Sequence, residues 1–150
     1  MQSQSYSLSK NLSIPSGQTV YFVGVTALDY TTIFNPLAVY SSVSPITIKL
    51  FEGGDITSLG SQTMQGVNMS RLNGDVNKTI VYVNPTIPAE QSKEPIFESQ
   101  GFGTNQTGSS TQSTCNFVLK RETPYLYAIK NDSNQSAKVS INFTWKEVKG

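Results

Sequence analysis

Histidine is absent from all 150 residues, and with it the side chain that most often serves as general base, triad member or metal ligand. One cysteine, Cys115, rules out an intrachain disulfide or a cysteine-cluster metal site, and it reads as a small residue at a strand edge. Carboxylates remain. Asp29 and Glu52 stand near the ends of candidate strands, and Glu122 follows Arg121. A pair of carboxylates is enough to hydrolyse a glycosidic bond, but these acids read more simply as turn and rim charges. Asn73-Gly74-Asp75-Val76-Asn77 is rich in oxygen ligands yet lacks the bidentate acid that closes a calcium loop. FEGGDITSLG, residues 51–60, has glycines but neither a phosphate-loop lysine nor a following helix. Both are read as turns. The expectation is a protein that is not an enzyme, with no catalytic residues, no cofactor and no metal.

Composition narrows the partners. The chain has 11 Lys+Arg against 10 Asp+Glu, a formal charge of +1, and Lys120-Arg121 is its one basic pair. Nucleic-acid and membrane-surface binders display basic patches, so neither partner is expected. No stretch approaches the ~20 apolar residues of a membrane helix. The opening MQSQSYSLSKN lacks the basic start and apolar run of a secretory signal, so synthesis in a host cytoplasm is expected, with both chain ends held by partner contacts. Seven Asn-x-Ser/Thr triplets occur, which a chain this rich in Asn, Ser and Thr produces by coincidence.

Four aromatics in irregular segments are the remaining lead: Tyr30, Phe34, Phe97 and Phe102. Loop aromatics anchor protein interfaces or stack on sugar rings; equally, they plug the open ends of a β-sandwich. As an interface, these four are the candidate contact residues.

The elements that would position them are strands. Val139, Ile141, Phe143 and Trp145 fall on alternate positions between polar residues, which gives a strand one buried and one wet face. Tyr125, Tyr127 and Ile129 share one face and Leu126 and Ala128 the other, the pattern of an interior strand. The polar run 131–136 between them predicts a β-hairpin. Residues 6–14 alternate as a first strand, and 19–27 are apolar on both faces, with Gly24 suggesting a bulge or a close backbone contact. Residues 37–40, 46–52 and 79–83 supply further strands, with weaker signals at 61–64 and 67–69. Residues 84–114 show almost no periodicity, and a loop that long is usually functional or disordered; a neighbouring subunit gripping it through Phe97 and Phe102 is the expectation.

About eight short strands with Gly/Pro/Asn turns and no helical periodicity predict an all-β, antiparallel two-sheet β-sandwich, one domain over 1–150. Long crossing loops favour a jelly-roll-like arrangement over an immunoglobulin-type one, whose cysteine pair around a tryptophan is missing.

The uncharged, Ser/Thr/Asn-rich chain ending in TPYLYAIKNDSNQSAKVSINFTWKE resembles small accessory proteins of tailed-phage virions, the capsid decoration or cement proteins. The resemblance rests on residues 123–147, Thr-Pro-Tyr-Leu-Tyr, then a polar turn and a final aromatic strand. It implies a structural protein on the capsid exterior, often a homotrimer, that bridges copies of the major capsid protein or other virion subunits. A carbohydrate-binding or adhesin-type β-sandwich, on a phage tail or a cell surface, is the alternative.

Overall fold

The computed structural model describes residues 3–101 and 116–150. Its first five strands are β1 (Ser3–Ile14), β2 (Thr19–Val25), β3 (Tyr30–Phe34), β4 (Val39–Ser41) and β5 (Ile46–Glu52). Three short strands follow: β6 (Thr63–Met64), β7 (Val67–Asn68) and β8 (Ile80–Tyr82). The chain closes with β9 (Phe97–Gly101), β10 (Phe117–Val118), β11 (Pro124–Asn131) and β12 (Ala137–Lys149). Among the described residues there is no helix.

Two six-stranded sheets pack face to face, and every pairing is antiparallel. One runs β10-β3-β12-β1-β7, with β4 in line with β3 along the same side of β12. The other runs β6-β8-β2-β11-β5-β9. Setting aside β6, β7 and β8, the pairings nest: β1 with β12, β2 with β11 and β3 with β10, with β5 and β9 at the tip. Successive pairs alternate between the sheets, so the chain is one long antiparallel ribbon rolled over itself. That is the jelly roll. The twelve strands of the described residues are this eight-strand roll, its third strand split into β3 and β4, plus three short strands inserted between β5 and β9.

The predicted hairpin is not formed. β11 and β12 lie in opposite sheets and pair with strands far away in sequence. Residues 131–136 arch across the core instead. Fully buried Asn131 sets this arch: its Nδ2 donates to the carbonyls of Ile14 (2.9 Å) and Gln135 (2.7 Å), and its Oδ1 accepts from Ser133 N (2.9 Å). A hairpin and an arch bury the same alternate residues, so the pattern alone does not separate them. Gly24 likewise departs from expectation. It pairs regularly with Tyr125 and Val81, without a bulge, and a Cβ there would meet nothing nearer than Thr79 Cγ2 at 3.8 Å. The close approach is at Gly66, where a Cβ would sit 2.8 Å from Trp145 Cη2.

Two apolar clusters follow from the two-sided strands. Between the sheets, Tyr6, Leu8, Phe22, Ile48, Leu50, Tyr125, Tyr127, Ile129, Phe143 and Trp145 form the main core. On the outer face of the β2-β11-β5 sheet, Val23, Leu126, Ala128 and Phe51 pack under Ile56, Leu59 and Ile87 of the 53–96 insertion. The insertion therefore roofs half of that sheet and leaves the other half open.

Candidate functional site

The three acids singled out in the sequence are held in different ways. Glu52, at the end of β5, accepts from the Tyr125 hydroxyl (Oε1, 2.8 Å) and from Lys120 Nζ (Oε2, 3.1 Å). The Tyr125 hydroxyl, and after it Lys120, hold this carboxyl below the usual carboxylate range. Tyr125 Oη in turn accepts from Lys120 N at 2.8 Å, so the trio ties β5 to the β10–β11 turn. Glu122 occupies that turn with a φ of 48°. Asp29 is exposed, and its carbonyl accepts from Gly150 N. Among the described residues no three His, Cys, Asp or Glu side chains are grouped as a metal site requires. Asn73 forms an Asx turn, its Oδ1 accepting from Asp75 N at 2.8 Å.

Two of the candidate aromatics, Phe34 and Phe97, adjoin one neighbour, Phe117, the cross-strand partner of Phe34. Phe34 meets Tyr127 and Phe143 edge to face at 6.1 and 5.8 Å, against the main core. Phe97, on β9, packs edge to face on Phe117 of the opposite sheet at 6.2 Å. Tyr30 opens β3 beneath Lys78, whose Nζ lies 5.8 Å from the ring centroid. Phe102 lies outside the described residues, as do Cys115 and most of the 98–114 stretch. Of the aperiodic segment, residues 97–101 form the edge strand β9.

The tyrosine hydroxyls give the core a pH limit. Burial first of all pushes Tyr125 up to about 12, and burial, then the Glu147 charge, pushes Tyr6 up to about 12. Tyr127, fully enclosed with its hydroxyl donating to the Pro36 carbonyl, is raised further. A tyrosine in the unfolded chain ionises near 10. Between about pH 10 and 12 the unfolded chain has thus released protons that the folded chain keeps, and releasing them favours unfolding. Stability is expected to be insensitive to these groups below about pH 10 and to fall as the pH rises through that window. Thermal melts across that range should show the decline, with the phenolate absorbance of these three residues emerging only as the protein unfolds.

Two features lie outside the sequence-based candidates. The first is a buried acid. Glu147 is 1% exposed and continues the inward register of β12 one step past Trp145. Its Oε1 accepts from Lys78 N (2.8 Å), and its Oε2 from Thr79 N (2.9 Å) and Trp145 Nε1 (2.8 Å). It staples the inserted segment to the sheet; among the described residues no buried side-chain nitrogen or oxygen lacks a partner.

The second is the 65–76 loop, which crosses the Trp145 indole at Gly66. Buried Asn68 donates to Asp75 O and Gln4 Oε1 (both 3.2 Å) and accepts from Ser70 N at 2.9 Å. Buried Asn77 accepts from Gly66 N at 2.9 Å, and the Tyr6 hydroxyl donates to Val76 O at 3.1 Å. With its backbone fixed this way, the loop turns Val67, Met69, Leu72 and Val76 outward, Leu72 at 102% of full exposure. Alternation does not reveal this patch, because its apolar residues are irregularly spaced.

The chain matches no protein-family model, no curated protein and no solved structure.

Proposed function

We propose that this is a non-enzymatic virion protein that decorates the outside of a phage capsid, bridges neighbouring capsid subunits and assembles as a homotrimer. The observation that carries a partner-binding role is the 65–76 loop. Clustered apolar side chains held in water mark interaction surfaces, and here buried Asn68 and Asn77 already fix the backbone that presents them. A preformed loop loses little entropy on docking, so more of its apolar burial becomes affinity. The capsid as partner is supported by the resemblance of residues 123–147 to decoration proteins. The jelly roll is compatible by analogy, since capsid and lectin domains both use it.

The test pairs Met69→Ser with Leu72→Ser in one chain. Burying each of these side chains is worth about 1.5–3 kcal/mol, so removing both should weaken attachment at least about tenfold while leaving the melting temperature unchanged, as surface substitutions do. Co-sedimentation with empty capsids of the phage that carries the chain's gene reads the effect. If the wild-type chain stays in the supernatant at micromolar concentration, the decoration role is wrong. Attachment unaffected by the double substitution would move the contact off this loop.

A further inference from the structure

The outer face of the second sheet carries a groove that the decoration role does not use. The 53–96 insertion roofs one half of that face, and the open half is a trough of about 790 Å³. Its floor is two cross-strand rows. Tyr21, Ala128, Lys49 and Glu98 face one another in turn across β2, β11, β5 and β9. Beside them run Thr19, Lys130, Thr47 and Gln100. Ala128 is buried between two half-exposed long side chains, so its small size leaves a dent with the Tyr21 ring as one wall.

The far wall is the 89–95 segment, and it is fixed. Gln91 exchanges two hydrogen bonds with the Asp55 main chain, at 2.6 and 2.9 Å, and Asp55 Oδ2 accepts from Ser92 N at 2.6 Å. Those bonds to Ser92 hold the Asp55 carboxyl below its ordinary range. On the floor, by contrast, polar groups are left over. The side chains of Thr19, Tyr21, Lys49, Glu98 and Gln100 find no hydrogen-bond or ion-pair partner among the described residues.

The geometry points to a binding site for a neutral oligosaccharide in this trough. Three lysines and four carboxylates line it with their signs interspersed, so it selects neither anions nor cations. Among the described residues no exposed large hydrophobic side chain lines it, and Phe51 at its inner end is buried, so the described lining has no apolar centre of the kind a protein interface uses. A sugar ring matches what is present: its C–H face covers an aromatic ring, and its hydroxyls both donate and accept. The Ala128 dent admits one ring against Tyr21, and the unpaired Lys49, Glu98 and Gln100 take its hydroxyls. This inference does not depend on the capsid proposal, because the apolar loop and the trough are different surfaces.

The test is an array of neutral and acidic oligosaccharides of several sugar units, probed with the full chain, followed by calorimetric titration of the best-retained neutral member. The expected result is retention of neutral members, with affinity lowered at least tenfold by Tyr21→Ala and by Gln100→Ala. The Met69→Ser/Leu72→Ser chain should bind as the wild type does. Because Tyr21 also touches the roofed cluster, Gln100→Ala, on the exposed edge strand, separates lost binding from lost folding. Retention of acidic members alone, no retention at millimolar sugar, or binding indifferent to Gln100→Ala would each overturn the assignment.

Discussion

Trp145→Ala is expected to lower the unfolding free energy by about 3–5 kcal/mol, the range for deleting a buried large aromatic. The residue is 6% exposed. Its ring stacks on Tyr6 with centroids 5.9 Å apart, Gly66 lies against its edge, and its Nε1 donates to Glu147. The substitution opens a void that β12 cannot close, because that strand is pinned between β1 on one side and β3 and β4 on the other. Lys138→Ala and Lys146→Ala, on the wet face of the same strand, should each stay within about 0.5 kcal/mol. Urea titration of the three chains gives the comparison. A native fluorescence spectrum typical of a water-exposed indole would show this packing to be wrong.

Glu147→Ala is expected to cost about as much by a different route. The carboxylate accepts from two backbone N–H groups and one indole N–H in a water-excluded site. Hydrogen bonds to charged groups contribute about 1.5–3 kcal/mol each. Losing them strands donors that have no other acceptor, so a total of about 3–5 kcal/mol is expected after water enters part of the space. Glu147→Gln should recover part of this, since its amide oxygen still accepts while its NH₂ group confronts a donor. Hydrogen exchange at Lys78 and Thr79 should quicken in both variants. Slow exchange there in Glu147→Ala would mean that the staple is not what holds the segment.

The alternation that identifies β12 also marks Glu147, because the inward register of Val139, Ile141, Phe143 and Trp145 reaches it at the next step. An acid in that slot reads as the end of the strand until its three donors are seen, and those come from residues 78, 79 and 145. The sandwich class was legible from period and turn chemistry, and so were the two-sided strands: Leu126 and Ala128 face a second apolar cluster, as their pattern required. Partner choice was not legible. Asn131–Ser136 has the composition of a tight turn, but whether it closes a hairpin or arches over a core depends on β1 and β5 competing for the same edges. β9 escaped notice because Phe97, Ser99 and Gly101 carry little apolar contrast with Glu98 and Gln100. The apolar loop was hidden because its apolar residues follow no period, and the trough because residues from β2, β5, β9 and β11, distant in the chain, assemble it.

The nested pairing has a temporal side. Ser3 aligns with Val148 and Ile14 with Ala137, so β1 gains its long sheet neighbour only once β12 has been made, more than a hundred residues later. Among the described residues, no two consecutive strands of the eight-strand roll pair with each other except β5 and β9, and the whole insertion separates those two, so the roll offers no local hairpin as an early nucleus. Closing loops of this length is entropically unfavourable before any contact repays it, and topologies dominated by such pairings fold in milliseconds to seconds rather than microseconds. Until β12 is available, Tyr6, Leu8 and Ile14 lack the strand that flanks them along their whole length. Truncation within β12 is therefore expected to give an aggregating chain rather than a smaller folded one, which light scattering of the truncated chain would check.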